Sequence, residues 1–296
     1  MDKSPTPKRG EQSVEEHPAI HNVFHPSDLS PGDEGAFVHA LKLALAARAK
    51  LSLMHVRDRS EKVQWHDFPK VRSILMRWKV LPEGCSHDDV VKAGLRVYKV
   101  KTHGSDPAET ILEHLEGHPA DLVVMATRQR SGFSRWLHKP TAEPIARQSG
   151  VMTLFVPKQV DGFVSAENGA VTLRRILVPV DGNPHPQCAL DAAATLALLL
   201  GCAEVTFDLL HIGSAAEMPA LDLPRQPGWT AKPETREGDI VEEILKTAAD
   251  QPADLIVMAT QGHKGFLDAL RGSTTEQVLR GCRCPVLAVP VTHTRD

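Results

Sequence analysis

The sequence has no apolar run long enough to cross a bilayer, and residues 1–17 contain no apolar segment of the kind found in secretory signals. We therefore expect a cytoplasmic protein without a membrane partner, in which residues 1–17 form a solvated, disordered tail. Cysteine is also scarce: the chain has five, an odd number, and they are scattered along the sequence. This pattern indicates reduced cysteines and argues against a disulfide framework.

The sequence also lacks a large excess of either charge. It has 34 basic and 37 acidic residues, a formal net charge of −3, which gives no reason to expect nucleic acid as a partner. The fifteen histidines are dispersed, and Cys282 and Cys284 are too close in sequence for a zinc knuckle, so we predict no metal site. The 296 residues suffice for two domains of about 100–200 residues each.

The chain contains an internal duplication. The segment ADLVVMAT at 120–127 recurs as ADLIVMAT at 253–260, an offset of 133, and NVFHPSD at 22–28 matches RILVPVD at 175–181 with an offset of 153. The offset changes because the first copy has additional residues between about 60 and 100. The predicted boundaries are a first domain over 18–158, a linker over 159–173 and a second domain over 174–292.

The additional residues of the first copy include the segment VRSILMRW. Its spacing predicts a helix with Val71, Ile74, Leu75 and Trp78 on one face. We interpret that face as part of the core and not as a groove for a partner.

Each copy alternates short apolar strands with helical segments. This order is typical of an α/β fold, here two Rossmann-like units, each with a five-stranded parallel sheet and helices on both faces. Ligands in such sheets bind at the carboxyl ends of the strands, where the strand order reverses. In the second copy we expect the first and fourth strands to flank this point, and these strands end in VPVDG and MATQG.

The segment after the fourth strand of the second copy, ATQGHKGFLDALRGST, is rich in glycine, but no lysine follows its Gly-Ser pair, which excludes a P-loop. The chain resembles the universal stress protein (UspA-like) family in tandem form over roughly residues 20–158 and 172–291. Nucleotide-binding members of that family carry Gly-x-x-Gly, nine residues, and then Gly-Ser or Gly-Thr. The second copy matches this motif with Gly262, Gly272 and Ser273 and departs from it at Ala259.

The resemblance implies two adenine nucleotide α-hydrolase-like units packed as a pseudo-dimer, with ATP, or ADP or AMP, bound with Mg²⁺ in the second unit. Glycines let main-chain N–H groups approach phosphate, and the N-terminus of the following helix attracts it. The resemblance also places the adenosine near the ends of the first two strands. The predicted site comprises Pro179, Val180, Asp181, Ile212, Met258, Ala259, Gln261, Gly262, Gly272, Ser273, Thr274 and Thr275.

The same residues also have a structural interpretation that requires no ligand. Ser273 and Glu276 have the spacing of a capping box, and Asp181 is able to cap the helix that follows it. Capping alone does not account for Gly262 ten residues before Gly272 together with an acid after the first strand. We therefore favour nucleotide binding over capping alone.

The first copy has lost the glycine motif. Gln129, Lys139 and Pro140 stand where the second copy has its two motif glycines and the serine. Two of these residues add side chains where the main chain would meet phosphate, and proline removes an N–H donor. We predict that the first unit does not bind ATP in the family manner and serves as a packing partner for the second.

The sequence has no catalytic constellation beside this loop, so we predict a regulatory or stress-response protein and not an enzyme, although slow hydrolysis of bound ATP is compatible with a phosphate nest. If Ala259 disables the loop, the alternative is a protein-interaction module of the same family that binds no nucleotide. An ATP pyrophosphatase would need S-G-G-x-D-S where this chain has VPVDGNP.

The assembly is predicted from the terminal strands and the resemblance. PVLAVP at 285–290 is an apolar terminal strand that we expect to pair with MTLFVP at 152–157, which would join the two units within one chain. We further expect a homodimer of tandem chains and protein partners that the sequence does not identify.

Overall fold

The computed structural model describes residues 20–57, 61–127, 145, 148–158, 160–261 and 273–291. The predicted N-terminal tail, most of the loop after the fourth strand of the first copy, and the motif residues Gly262 and Gly272 lie outside the described residues.

Over the described residues the two copies have the same order of strands and helices, with two differences. The insertion of the first copy adds two short helices, and the segment that aligns with α7 of the second copy lies largely outside the described residues in the first. The first copy contains β1 (Asn22–Pro26), α1 (Glu34–Ala46), β2 (Lys50–Arg57), α2 (Val71–Arg77), α3 (His87–Lys92), β3 (Arg96–His103), α4 (Pro107–Gly117), β4 (Leu122–Thr127) and β5 (Met152–Pro157). The second contains β6 (Arg175–Pro179), α5 (Gln187–Leu199), β7 (Val205–Ile212), β8 (Trp229–Arg236), α6 (Ile240–Asp250), β9 (Leu255–Gln261), α7 (Thr274–Gly281) and β10 (Val286–Val291).

All ten strands belong to one sheet in the order β3-β2-β1-β4-β5-β10-β9-β6-β7-β8. Neighbouring strands are parallel within each copy, as predicted, and β5 pairs with β10 in antiparallel orientation at the centre. There Phe155 lies opposite Val286, and Leu154 lies opposite Leu287. The predicted pairing of these two terminal strands is confirmed, and it joins the copies into an internal pseudo-dimer.

The position of each strand follows from its composition. The central strands β4 and β9 are almost continuously apolar and buried, as expected for strands covered on both faces. The outermost strands β3 and β8 are polar, and their residues are exposed or half-buried. Strand β8 contains Pro233, which an edge strand tolerates because one side of it needs no ladder hydrogen bonds.

The duplication extends to individual hydrogen bonds. Asp121 before β4 accepts hydrogen bonds from the main-chain N–H groups of His21 and Asn22, each 2.8 Å long. Asp254, at the offset of 133, accepts hydrogen bonds of 2.8 Å from the N–H groups of Arg174 and Arg175. In both copies an acid therefore holds the entry to the first strand beside the fourth strand.

The insertion helix α2 packs on the segment between the two copies. The four residues predicted to share its apolar face are all buried, which confirms the core interpretation. The indole Nε1 of Trp78 donates a hydrogen bond of 3.2 Å to the carbonyl of Ala166. Gly169 has φ +70, and a Cβ there would lie 2.5 Å from the indole ring, so this close approach requires glycine.

His39 on α1 ties the same segment to the first copy. Its Nδ1 donates to the carbonyl of Gly35 over 2.7 Å, and its Nε2 accepts from the N–H groups of Phe163 at 3.0 Å and Val164 at 3.2 Å. These partners require the neutral imidazole, since Nε2 must keep its lone pair. Burial lowers the pKa of His39 to about 4 although the Gly35 carbonyl acts in the opposite direction.

Acidification is therefore expected to weaken this tie. The pKa of His39 is below its unfolded value of about 6.5, so the unfolded chain binds more protons between these values. The contribution to stability is complete above pH 6.5 and is lost as the pH falls towards 4, by roughly 2–3 kcal/mol. Urea unfolding between pH 7 and pH 4 should show a steeper decline for the natural chain than for His39→Gln.

The control for this measurement is His66→Gln, since the side chain of His66 is 80% exposed. This variant should keep the pH dependence of the natural chain. Equal slopes for the natural chain and for His39→Gln would show that protonation of His39 does not act on stability.

Candidate functional site

The candidate site lies at the carboxyl ends of β6 and β9. The chain leaves β6 for β7 and β8 on one side, and β9 then returns to the other side of β6, with Leu177 opposite Ile256. The strand order therefore reverses between β6 and β9, which is where open α/β sheets bind ligands. Because β9 and β10 are parallel, the intervening α7 must begin at this same edge of the sheet.

The end of β6 presents an acid on a fixed backbone. The N–H of Val180 donates to the carbonyl of Leu210 over 2.8 Å, and Val180 itself is buried. Pro179 is half-buried at the last position of the strand, and Asp181 is exposed. The Asp181 carboxylate accepts from the N–H of Gly182 at 2.7 Å, and no cation pairs with it among the described residues.

The end of β9 contacts the loop that follows β6. The Gln261 amide donates to the Oδ1 of Asn183 over 2.9 Å, so the two segments predicted to flank the site are in contact. Ala259 is half-buried, whereas Met258 is buried in the core beside Val278 and Cys282. Met258 is therefore placed below the open edge, where contact with a ligand would be limited.

Three further predicted residues form the start of α7. Ser273 is the N-cap, and its hydroxyl accepts from the N–H of Glu276 at 3.2 Å, as in one half of a capping box. Thr274 and Thr275 follow as the first helical residues, where helix geometry leaves N–H groups without an intrahelical partner. The capping interpretation is thus consistent with the structure, and the same helix end remains suited to an anion.

His211 belongs to this edge of the sheet, although it is not among the residues predicted for the site. Its Nδ1 donates to the carbonyl of Val180 over 3.0 Å. Its Nε2 is buried and has no hydrogen-bond partner in the part of the chain that the structure describes. Gly213, with φ +148, gives the ring room, since a Cβ there would lie 2.9 Å from Nε2. Ile212, the next residue, is half-buried.

A signal for His211 was present in the repeat itself. LMHV of the first copy aligns with LLHI of the second, and His55 occupies the same place in β2 as His211 in β7. The Nδ1 of His55 donates to the carbonyl of Ser27 over 2.8 Å, but its Nε2 lies 3.3 Å from the carboxylate of Glu61. The histidine of the second copy is therefore the one whose second nitrogen lacks a partner among the described residues.

The first copy closes the equivalent edge with its own side chains. The Lys158 ammonium lies 2.5 Å from the carboxylate of Asp28 and 2.8 Å from the hydroxyl of Ser30. Partial burial acts to raise the pKa of Asp28, but hydrogen bonds from Lys158 and Ser30 outweigh it and lower this pKa to about 2. The second copy has Val291 where the first has Lys158, so its acid receives no such cation.

Comparison with known proteins agrees with this architecture. The model of the universal stress protein family matches residues 20–157 and 220–290, one stretch in each copy. The chain belongs to the universal stress protein family. Both matches include the fourth strand of a copy and the loop that follows it, so the resemblance seen in the sequence is confirmed.

Individual relatives are more distant. A universal stress protein of Synechocystis sp. is 26% identical over 185 residues, which cover 60% of this chain and 60% of that protein's length. One of Methanocaldococcus jannaschii is 28% identical over 144 residues, 41% of this chain and 85% of that protein. The crystal structure of a universal stress protein from Archaeoglobus fulgidus has a TM-score of 0.58 and 18% identity, covering 91% of this chain and 98% of that one, which supports the fold alone.

This universal stress protein also has a buried polar group at the end of β1. The Ser27 hydroxyl donates to Asp33, and the Nε2 of His25 lies 3.3 Å from the same carboxylate, while its Nδ1 contacts the carbonyl of Val124 at 2.8 Å. Burial acts to lower the pKa of His25, but Asp33 raises it above the usual value. Serine donates to the acid and not to the imidazole, so this is a structural ion pair and not a nucleophile with its base.

The described helices of this universal stress protein include none that combines the length and the apolar character needed to span a bilayer.

Proposed function

We propose that this chain is a cytoplasmic regulatory protein of the stress-protein family that binds an adenine nucleotide, ATP or its products ADP and AMP, in its second repeat. The observation that carries the proposal is the contact of the β9 end with the β6 loop, Gln261 to Asn183, beside the start of α7. An acid and a helix N-terminus thereby share one edge of the sheet, and in the sequence the motif glycines lie between the end of β9 and this helix.

The residues present fit such a ligand. The N–H groups at the start of α7 suit the phosphates, together with the main chain at the motif glycines. Asp181 offers a carboxylate to a ribose hydroxyl or the adenine amine. The unpartnered Nε2 of His211 keeps a lone pair because its Nδ1 donates to Val180, and a ligand donor brought near it would satisfy that atom.

In this proposal the nucleotide acts as a ligand that changes the conformation or the partners of the protein. Bound Mg²⁺ would accompany the phosphates and offset their charge. We propose no general base, and any hydrolysis would be slow because a phosphate nest supplies only electrostatic stabilisation. The first repeat acts as the packing partner through β5 and β10, and two tandem chains associate as a homodimer with protein partners still to be identified.

Binding is tested by isothermal titration of the full chain, freed of nucleotide by unfolding and refolding, with ATP and MgCl₂. We expect saturable binding with a stoichiometry of one nucleotide per chain, in the micromolar range. ADP and AMP titrations rank the nucleotides, and mass spectrometry of nucleotide released from the freshly purified protein identifies the native one.

The competing function is a protein-interaction module without nucleotide, and the closed edge of the first repeat, with Lys158 on Asp28, favours that role for the first repeat. Two nucleotides per chain would contradict the assignment of binding to the second repeat alone. No saturable binding of ATP, ADP or AMP at millimolar concentration would overturn nucleotide binding and leave the interaction module.

A further inference from the structure

The insertion of the first repeat forms a cavity beside β3, the edge strand of its half of the sheet. The nucleotide site proposed above lies in the other half, at the ends of β6 and β9. The volume of the cavity is about 510 Å³, within the range of small-molecule sites, and it lies between α2, α3 and the edge strand β3. The wall is apolar and formed by Val71, Val90 and Val97. The remaining lining residues are polar or basic: Lys70, Arg72, Ser73, His87 and Lys99.

The charge of this cavity is not compensated. No carboxylate lines it, and Lys70, Arg72 and Lys99 form no ion pair within the described residues. The Nη1 of Arg72 donates one bond of 3.4 Å to the carbonyl of Cys85, which leaves most of its donors available. Burial, and then the charge of Arg72, lower the pKa of Lys99, so the two cations are close enough to repel each other.

The nearest acids along the chain are engaged elsewhere or do not line the cavity. Asp89 on α3 accepts hydrogen bonds from Ser86 and pairs with Lys92 at 3.6 Å. Asp88, on the same helix, is exposed and is not among the lining residues. An anion from solution is therefore the natural partner for these cations.

Lys99 is held in position by an aromatic ring. Its ammonium lies 5.5 Å from the centroid of the Phe68 ring, a cation–π distance, and Phe68 is itself buried. This contact keeps the charge at the rim of an apolar wall and limits the entropy lost when an anion binds there.

The second repeat supplies an internal comparison. By strand register, Lys99 of β3 lies opposite Leu53 of β2, and the corresponding residue of β8, opposite Leu209 of β7, is Pro233. The second repeat therefore has no lysine at this position, and no α-helix lies between β7 and β8, a segment that the structure describes throughout. There the basic side chain of Arg236 is paired with Glu234 at 2.7 Å. The uncompensated cations and the cavity therefore occur together in the first repeat, where the insertion is.

We propose that this cavity binds a small phosphate monoester with an apolar body, independently of the nucleotide site of the second repeat. The planar guanidinium of Arg72 and the ammonium groups of Lys70 and Lys99 suit a phosphate dianion, and the three valines suit a ring or short hydrocarbon chain. Such a ligand would make the first repeat a sensor of its own, although its glycine motif is lost.

The test is titration of the full chain with phenyl phosphate. Phenol and inorganic phosphate are titrated separately, since each of them carries one of the two parts of that ligand. Phenyl phosphate should bind saturably, one per chain, and each half should bind at least about tenfold more weakly. The variant Lys99→Gln with Arg72→Gln should weaken phenyl phosphate binding by at least about tenfold, since each cation supplies charged hydrogen bonds.

The control is Lys232→Gln, which removes an exposed lysine from β8, the edge strand of the second repeat, and should leave phenyl phosphate binding unchanged. ATP titration of the Lys99→Gln and Arg72→Gln variant should match the natural chain, and this keeps a failure here separate from a failure of the nucleotide proposal. Absence of saturable phenyl phosphate binding would overturn the proposal, as would equal affinity in the double variant, or equal losses in that variant and in the control.

Discussion

Replacing Gly272 by lysine and Ser273 by proline is expected to weaken ATP binding by at least about a hundredfold, roughly 2.7 kcal/mol. These are the residues that the first repeat carries at the aligned positions, Lys139 and Pro140. A lysine side chain occupies the space in which the main chain would approach a phosphate, and proline removes the N–H at the cap of α7. Isothermal titration with ATP and MgCl₂ measures the loss.

Loss of the cap also destabilises α7, by about 1 kcal/mol, so binding must be separated from folding. The variant Ser273→Asp serves this purpose, because aspartate caps a helix as well as serine does but places a negative charge towards the phosphates. It should unfold at the same urea concentration as the natural chain and still bind ATP more weakly. ATP affinity unchanged in both variants would place the nucleotide elsewhere.

The reciprocal exchange tests why the first repeat is inactive. The triple variant Gln129→Gly, Lys139→Gly and Pro140→Ser restores its motif residues, but we expect no second ATP site, because Lys158 still occupies the carboxylate of Asp28. Adding Lys158→Val, the residue of the second repeat at that position, should allow a second nucleotide to bind. A second site formed without the change at Lys158 would show that the motif alone controls binding.

Local patterns predicted most of the architecture because the chain contains each of them twice. The alternation of strands and helices and the weak edge strand β8 follow from composition and from the repeated segments, whereas the pairing of β5 with β10 was implied by the resemblance to the family. The buried face of α2 followed from helical spacing alone. Apart from the pairing of β5 with β10, each of these features depends on residues within one strand or helix, which is the range over which periodicity is informative.

The polar contacts of the candidate site could not be predicted in the same way. Lys158 and Asp28 are 130 residues apart, and only the fold places β5 near the end of β1. The contact of Gln261 with Asn183 and the unpartnered nitrogen of His211 depend on side-chain directions that no spacing encodes. The cavity beside β3 could not be predicted either. The sequence indicated the helix α2 but not that β3 would pack beside it to form the other wall of the cavity.

The second large effect is expected at the buried pair of His25 and Asp33. The variant Asp33→Ala should lose about 3–5 kcal/mol of unfolding free energy, because it leaves the imidazole of His25 buried without its counter-charge. The second repeat shows an apolar solution at the same place, since Val178 aligns with His25 and Val180 with Ser27. The double variant His25→Val with Asp33→Ala should therefore recover most of the loss, because no unpaired charge remains.

The pH dependence of this loss identifies its origin. Asp33 raises the pKa of His25 above its unfolded value, so the pair contributes fully below about pH 6.5 and its contribution declines as the pH rises through the raised pKa. Urea unfolding should thus show the largest gap between the natural chain and Asp33→Ala at pH 5.5 and a smaller gap at pH 8. The contrary result would be a difference in unfolding free energy that does not change with pH and that the added His25→Val does not reduce. It would mean that Asp33 stabilises the fold through its hydrogen bond with Ser27 and not through the charge of His25.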